Sequence, residues 1–498
     1  MNTRINRRDF LKLAAMLPLA NLKLPSYSPG SPDQPNILII VLDALSARHM
    51  SLYGYPRVTT PYIENFAERA TVFHNHYAGG NFTTPGTASL LTGTLPWTHH
   101  AFHIHGMVND LSIPHNLFNQ VPPGTYTTSY THNLFALTLL YQFRDSLAEL
   151  VMPRKLALKD FEFSDQLFKN DYNIAYIGEN ISLNTNNKAA SSLFLSLFDR
   201  LFKQNQERQI NKKYDNLFPV RVPEENGVIF ILEDSINWAI EQVKSLPQPY
   251  LAYFHFLPPH DPYLPTRDFI GKFRGDGYFP VEKPKSFASL GLEQKALNNN
   301  CLLYDEYLAY ADFEFGRLVS EMQKNGLLDT TYLILTSDHG ELFERGISGH
   351  VTPVLYESIV HIPLIISRPG IDTRMDIYDQ TSCIDVLPTI LNIYGQPIPQ
   401  WCEGRILPSF ASQDSSIERA IFAMDNKSNP KYGPITSGTL MAIQGNYKLI
   451  NNMNNGGPVE GELYNLKNDP EELENLVNSQ RSITESLRKA LSEKFNSK

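Results

Sequence analysis

Two carboxylates and an imidazole, Asp43, Asp338 and His339, each follow directly on a run of apolar residues. Asp43 closes Asn36-Ile-Leu-Ile-Ile-Val-Leu, and Asp338-His339-Gly340 follows the segment Thr331 to Ser337. Carboxylate oxygens with one imidazole nitrogen suit a single divalent metal ion. Singly each is a weak signal, since Asp-His pairs arise by chance and a glycine often merely ends a strand. Between them lies Asn81-Phe-Thr83-Thr-Pro85-Gly-Thr87-Ala-Ser-Leu-Leu-Thr92-Gly93. Pro85 at a first helical position predicts a helix start there, with Thr83 just before the N-terminus, where free N–H groups and the dipole favour an anion. A hydroxyl in that place, next to a metal, is a nucleophile for an esterified acid. The plainer alternative is that Thr83 or Thr84 only caps the helix.

Such groups need a scaffold that brings distant segments together. Asn36 to Asp43 is apolar without alternation, which predicts a strand buried on both faces, as in a helix-covered parallel sheet. Tyr250 to Phe256, Thr331 to Ser337 and His361 to Ser367 have the same form. Helical patterns intervene at Thr60–Ala70, Asp234–Ser245 and Leu303–Asn325. Strands alternating with helices predict a doubly wound α/β fold, with chemistry at strand C-terminal ends. Three of the four strands end in polar clusters, the second of them near His255 and His260. The stretch 145–225 breaks the rhythm. Within it Leu193, Leu197 and Leu201, beside Phe194, Phe198 and Phe202, predict an amphipathic helix followed by Lys203, Arg208, Lys212 and Lys213. It reads either as a lid or membrane-surface helix or, preferably, as an insertion with its own small core. Glu418 to Lys498 reads as a smaller α+β unit ending in a helix around Ile483–Phe495.

The 498 residues are 42% hydrophobic and 19% charged, enough apolar material for a large core. A net charge of −9, without a basic block, argues against nucleic acid as a partner. Three scattered cysteines, Cys301, Cys383 and Cys402, exclude a disulfide scaffold and a paired-cysteine zinc site. No apolar run is long enough to span a bilayer. Asn6-Arg7-Arg8-Asp9-Phe10-Leu11-Lys12, then Leu13 to Ala20 and a Pro/Ser/Gly stretch, is similar to a twin-arginine export signal. That predicts a translocase as a transient partner and a periplasmic or other extracytoplasmic location. The division expected is 1–33 signal and linker, 34–410 catalytic domain with the 145–225 insertion, and 411–498 C-terminal subdomain.

Taken together, the motifs resemble the sulfatase family of the alkaline phosphatase superfamily. Thr83, Pro85, Ala88, Leu90, Leu91, Thr92 and Gly93 fall into the frame of its Cys/Ser-x-Pro-Ser-Arg-Ala-Ala-Leu-Leu-Thr-Gly motif. Asp43 matches the first metal aspartate, and Thr336-Ser-Asp-His-Gly-Glu341 the second metal segment. His255-Phe-Leu-Pro-Pro-His260-Asp-Pro-Tyr263 is similar to the family's His-x-Pro-His-x-Pro-Tyr. Gly349-His350, with Leu355-Tyr-Glu357 and His361-Ile-Pro-Leu-Ile-Ile366, resembles the stretch that closes the active site. Asp385-Val-Leu-Pro-Thr-Ile-Leu391, Asn446-Tyr-Lys-Leu449 and Glu462 to Glu471 match later elements. The resemblance implies an α/β fold with a doubly wound mixed sheet, helices on both faces and a small C-terminal α+β subdomain.

Four departures alter the chemistry that the resemblance implies. Thr83 stands where the family carries a cysteine or serine that is oxidised to formylglycine, and a threonine's extra methyl blocks that aldehyde. Thr87 replaces the family arginine, and Ala44 the second aspartate of an Asp-Asp pair. The family's Gly-Lys-Trp-His segment is absent; Tyr126 to Asn133 takes its place, with His132 as a substitute ligand for substrate or as a surface residue. The implied centre is one divalent ion on Asp43, Thr83, Asp338 and His339. Mn²⁺ or Zn²⁺ is favoured by the imidazole, with Ca²⁺ the remaining option. Thr83 is the expected nucleophile, and His260 and His350 are expected to bind substrate oxygens or protonate the leaving group; His132 and Thr87 complete the substrate set. The expected activity is hydrolysis of a sulfuric or phosphoric ester of a small-molecule, glycan or lipid alcohol. Thr83 tilts the substrate towards phosphodiesters or phosphonate esters, or towards phosphoryl transfer of the phosphoethanolamine or glycerophosphate kind. The alternative from another class is an inactive binding protein on the same fold.

Overall fold

A computed structural model describes residues 34–158, 193–225, 228–411, 419–430, 433–454 and 457–496. The arginine-pair segment lies outside these residues, as do the side chains of Leu193, Phe194, Leu197 and Phe198. The centre is an eight-stranded sheet made of β1 (Asn36–Leu42), β2 (Ala70–Tyr77), β3 (Tyr126–Thr131), β4 (Glu149–Val151), β5 (Tyr250–Phe256), β6 (Thr331–Thr336), β7 (Leu364–Ser367) and β8 (Met375–Ser382). Its order is β8-β2-β7-β6-β1-β5-β3-β4. Only β7 runs against its neighbours; every other pairing is parallel.

The unbroken apolar run of β1 has the expected cause. Leu38, Ile40 and Leu42 enter one core while Ile37, Ile39 and Val41 enter the other, because successive side chains leave opposite faces. The first core is covered by α1 (Pro61–Ala67), through Ile63 and Phe66, and by two helices further along, α4 (Leu232–Ser245) and α5 (Gln294–Lys324). On the other face lie α2 (Thr83–Thr92), α3 (Leu134–Gln142), α6 (Val386–Ile393) and α7 (Arg481–Asn496). The parallel register aligns the ends of the central strands, with Val41 beside both His255 and Thr336, and Thr131 beside His255. Asp43, Asn133, His255 and Asp338 therefore leave the sheet at one edge.

The C-terminal unit is a four-stranded antiparallel sheet of β9 (Ile421–Asp425), β10 (Gly438–Gln444), β11 (Tyr447–Asn454) and β12 (Gly457–Asn465). It shares its core with the main domain, since Leu440, Ala442 and Leu449 cluster with Leu487 and Leu491 of α7 and with Leu387 of α6. The wholly buried Lys448 joins the two parts, with Nζ 2.9 Å from Glu357 and 2.9 Å from Glu472. The expectation that the 145–225 stretch packs a core of its own is overturned for its described part. Ile210, Tyr214, Leu217, Phe218 and Val222 pack into the large core against α4 and α5 instead.

One glycine is required by a close approach. A Cβ on Gly86 of α2 would lie 2.1 Å from the carbonyl oxygen of Asp338. Helix α2 is thus seated directly on the backbone of the Asp338 segment. Gly86→Ala is expected to force the two apart, at a cost of about 1–3 kcal/mol, although alanine is the better helix former. A thermal midpoint equal to or above that of the parent would count against this seating.

Candidate active site

Helix α2 begins at Thr83 itself, two residues earlier than Pro85 suggests, and Phe82 is the N-cap with no side-chain capping bond. Thr83 therefore does not spend its hydroxyl as a cap. The side chain is buried, with Oγ1 3.4 Å from His339 Nε2 and accepting from Asn133 Nδ2 at 3.1 Å. The same amide donates to Asp43 Oδ2 at 2.6 Å. Asn133 is held in turn because its Oδ1 caps α3, accepting from Phe135 N at 2.7 Å and from Ala136 N at 3.3 Å.

Asp43, Asp338 and His339 converge with ligand atoms all within 4.8 Å of one another. His339 Nε2 lies 3.4 Å from Asp43 Oδ1 and 3.6 Å from Asp338 Oδ2, yet both oxygens are buried without a hydrogen bond. Burial of unpartnered carboxylate oxygens is costly unless a cation faces them. The donor set and these two bare oxygens fit one divalent ion. Asp338 is fixed by its other oxygen, which accepts from His339 N at 3.0 Å and from Ala44 N at 3.3 Å. Ala44 adopts a left-handed backbone with φ of 59°, and Tyr304 donates to its carbonyl at 2.7 Å. In place of the second aspartate of the Asp-Asp pair, Ala44 thus contributes its backbone N–H to Asp338.

Three further histidines surround this group. His255 donates from Nε2 to Asp43 Oδ2 at 3.1 Å, and its Nδ1 meets the Tyr253 hydroxyl at 3.1 Å. His260 is anchored through Nδ1 on the Asp261 carbonyl at 2.6 Å. His350 bonds through Nδ1 to the buried Glu341, at 3.0 and 3.1 Å from its two oxygens. The His350 ring centre lies 4.7 Å from that of His260 and 4.3 Å from that of His339. The charges are mutually supporting. Burial would raise the Asp43 carboxyl, but His260, His255 and His339 hold it well below the usual carboxylate range. Burial would depress His339, but Asp338 and Asp43 push it up to about 9. The same balance, through Asp43, Asp261 and Glu341, brings His260 to about 9. Glu341 is lowered against its burial by His350, His260 and His339.

The structure brings together Asp43, Thr83, Asp338, His339, His260 and His350, but not His132 or Thr87. His132 is not at the surface. It stacks on Phe230 at 4.0 Å, with Nε2 3.0 Å from Ser235 Oγ and Nδ1 accepting from Leu257 N at 3.4 Å. Burial pushes it down to about 3. Thr87 lies one turn beyond Thr83, fully buried beside Tyr253. Three participants, Asn133, His255 and Glu341, had no role assigned from the sequence, although His255 stood in the polar cluster at the end of its strand. His255 and Glu341 sit in the matched segments, so their positions were signalled there. Asn133 carried no signal beyond closing the segment Tyr126 to Asn133, which stands where the family's Gly-Lys-Trp-His segment is absent. Asn133→Ala is expected to lower kcat about tenfold to a hundredfold, the usual worth of one hydrogen bond to a charged group. Loss of the cap should cost about 1 kcal/mol of stability as well. Unchanged kcat would remove Asn133 from the site.

A buried hydroxyl lies beside two carboxylates and four imidazoles at the strand ends of a doubly wound sheet, a donor set with room for a divalent ion and a hydroxyl placed as a nucleophile. Residues 35–395 match the sulfatase family, and residues 352–497 match the C-terminal unit of N-sulphoglucosamine sulphohydrolase. The chain belongs to the sulfatase family. It is 23% identical to arylsulfatase K of Bos taurus over 95% of this chain and 84% of that protein. It is also 23% identical to the choline-sulfatase of Rhizobium meliloti, over 90% of this chain and 83% of the relative. Among solved structures, the phosphonate monoester hydrolase of Agrobacterium radiobacter superposes with a TM-score of 0.65 at 17% identity, covering 92% of this chain and 96% of that one. Members of this family are metal-dependent. Among the described residues no helix is long and apolar enough to cross a membrane.

Proposed function

We propose that this protein hydrolyses a sulfuric or phosphoric ester with Thr83 as nucleophile, on one divalent ion held by Asp43, Asp338, His339 and Thr83. The observation that carries this reading is the Thr83 hydroxyl, released from capping and held by Asn133 against Asp43. When bound, the ion supplies a lowered hydroxyl pKa and a counter-charge for a substrate oxygen. Asn133 fixes the orientation of Thr83 Oγ, which attacks phosphorus or sulfur in line. The new Thr83–ester bond forms as the bond to the leaving alcohol oxygen breaks, and His260 or His350 gives that oxygen its proton. Water, giving a proton back to the same histidine, then takes the sulfuryl or phosphoryl group from Thr83 and frees the Thr83 oxygen. Glu341 keeps the His350 ring turned for this work.

Thr83 favours a phosphodiester or phosphonate ester over a sulfate, since the formylglycine route is closed to it. The likeness to a phosphonate monoester hydrolase bears on the fold, while the names of the sequence relatives leave sulfate esters in play. Phosphoryl transfer to an acceptor alcohol uses the same first half. Export by the twin-arginine route, signalled by Arg7 and Arg8, belongs to this reading and places the enzyme outside the cytoplasm. The test is hydrolysis of matched aryl sulfate, phosphate monoester, phosphodiester and phosphonate esters with Mn²⁺, Zn²⁺ and Ca²⁺ in parallel. Phosphodiester or phosphonate turnover that disappears in Thr83→Ala supports the reading. Sulfate turnover that survives Thr83→Ala assigns the nucleophile elsewhere, and absence of bound metal and of all turnover favours the binding-protein alternative.

A further inference from the structure

His350 is held at both ends of its residue. Glu341 holds the ring, and the backbone is held by Asn81, which stands two residues before Thr83. Asn81 is wholly buried, and its Nδ2 donates to His350 O at 3.4 Å and also to Thr352 O. The turn between these two carbonyls is closed by Thr352 N, which donates to His350 O at 2.7 Å. One amide therefore spans both ends of the turn that carries His350. Val351 at the tip is exposed, so packing does not hold the turn from outside. Asn81 Oδ1 has no partner, which leaves all the polar work of the side chain to Nδ2. Burying an amide with one polar atom unpaired is unfavourable, and what it secures here is the place of His350.

The segment that carries Asn81 is itself fixed by the C-terminal unit. Strand β9 lies along it, with Met424 N donating to Gly79 O at 3.0 Å. A Cβ on Gly80 would lie 2.6 Å from Pro85 Cγ and 3.3 Å from Met424 O, so the chain here is pressed between α2 and β9. The buried Asp425 follows, accepting from Lys427 Nζ at 2.9 Å. Burial raises its carboxyl, and Lys427 and a hydrogen bond from Asn81 work against that rise. Lys427 Nζ also stands 5.8 Å from the ring centre of Phe82. Residues 79–82 are thus anchored immediately before the nucleophile. The two ends of the tether meet at one imidazole: Thr83 Oγ1 is 3.4 Å from His339 Nε2, and the His350 ring centre is 4.3 Å from that of His339. Asn81 therefore sets the position of the His350 backbone relative to Thr83.

We propose that Asn81 is a positioning residue that acts through His350, holding this proton donor at a fixed separation from the attacking oxygen of Thr83. The proposal rests on the ester-hydrolase reading and takes His350 as the donor to the leaving oxygen. A misplacement of about 1 Å in such a pair costs about a hundredfold in rate. Two leaving groups separate this role from general support of the fold, because 4-nitrophenoxide departs with little need of a proton and phenoxide gains more from one. The probes are the 4-nitrophenyl and phenyl monoesters of phenylphosphonate, with the two aryl sulfates alongside, on the full chain. Asn81→Ala should lower kcat for the phenyl esters about tenfold to a hundredfold and for the 4-nitrophenyl esters by less than about threefold, with KM little changed. In a His350→Gln background the same substitution should cost no more than about twofold further, since both act on one step. Asp425→Asn loosens Asn81 from the other unit and should shift kcat in the same sense by about threefold, which keeps the test open if Asn81→Ala does not fold. Hydrogen exchange of the amides from Gly349 to Thr352, read without substrate, should quicken about tenfold in Asn81→Ala. Equal losses on both leaving groups, additive losses with His350→Gln, or unchanged exchange overturn the positioning role and leave the Thr83 assignment standing. Turnover that survives Thr83→Ala, or no turnover of any ester, overturns the ester-hydrolase reading itself, and with it the role of Asn81 in the reaction.

Discussion

Replacing Thr83 with alanine should lower turnover at least about a thousandfold, the scale on which loss of a nucleophile is felt. The hydroxyl has no structural duty that would explain such a loss, because Phe82 and not Thr83 occupies the N-cap. Alanine is also the better helix former, so the variant should keep its stability within about 1 kcal/mol. Thr83→Ser should restore turnover to within about tenfold of the parent, since it returns the oxygen that Asn133 addresses at 3.1 Å. Rates of the two variants on one ester, with thermal midpoints alongside, decide the matter. If both variants turn over equally, the oxygen of Thr83 takes no part in the chemistry.

Substituting Asp338 with asparagine should be nearly as severe and for a different reason. Asparagine keeps the oxygen that accepts from His339 N and Ala44 N, at 3.0 and 3.3 Å, so the turn around Gly340 should persist. What changes is the other atom. The buried, unpartnered Oδ2 becomes an amide that presents hydrogens to the place where a cation belongs. We expect loss of stoichiometric metal and a fall of about a thousandfold in rate, with the fold retained. Titration of the metal-free variant with Mn²⁺ or Zn²⁺, read by calorimetry, measures the first effect directly. Tight binding to Asp338→Asn would take this residue out of the ligand set.

The parts of the molecule that were legible in the sequence are those where burial leaves only one type of residue. The strands Asn36–Leu42, Tyr250–Phe256 and Thr331–Thr336 lie in the middle of the sheet, are covered on both faces and so read as apolar runs. The outer strands escaped notice. Tyr126–Thr131 is built of hydroxyl residues and Met375–Ser382 is mostly exposed at the sheet edge, so neither carries a hydrophobic pattern. The run His361 to Ser367 shows the limit from the other side. Its strand is antiparallel to both neighbours, so its C-terminal end points away from the site and bears no catalytic group. The choice between His132 and Asn133 was equally hidden. Adjacent residues at the end of a strand face opposite ways, and only the register with β5 shows that it is the asparagine that turns towards Thr83. The cluster of Asp43, Asp338 and His339 was legible because all three lie within three residues of the end of a central strand.

The position of β1 in the middle of the sheet also has a cost during synthesis. The hydrogen bond between Ala44 and Asp338 joins residues 294 apart in the chain. At roughly 5–20 residues per second, the ribosome needs about 15–60 s to deliver the second partner after the first. For that time Ile37 to Leu42 emerges as a bare β-prone segment with no strand on its β6 side, the kind of sequence on which nascent chains stick to one another. The residues around Thr83 therefore cannot come together until the chain has grown past His350. They close in one late event, and until then the first strand made is the one most in need of a chaperone.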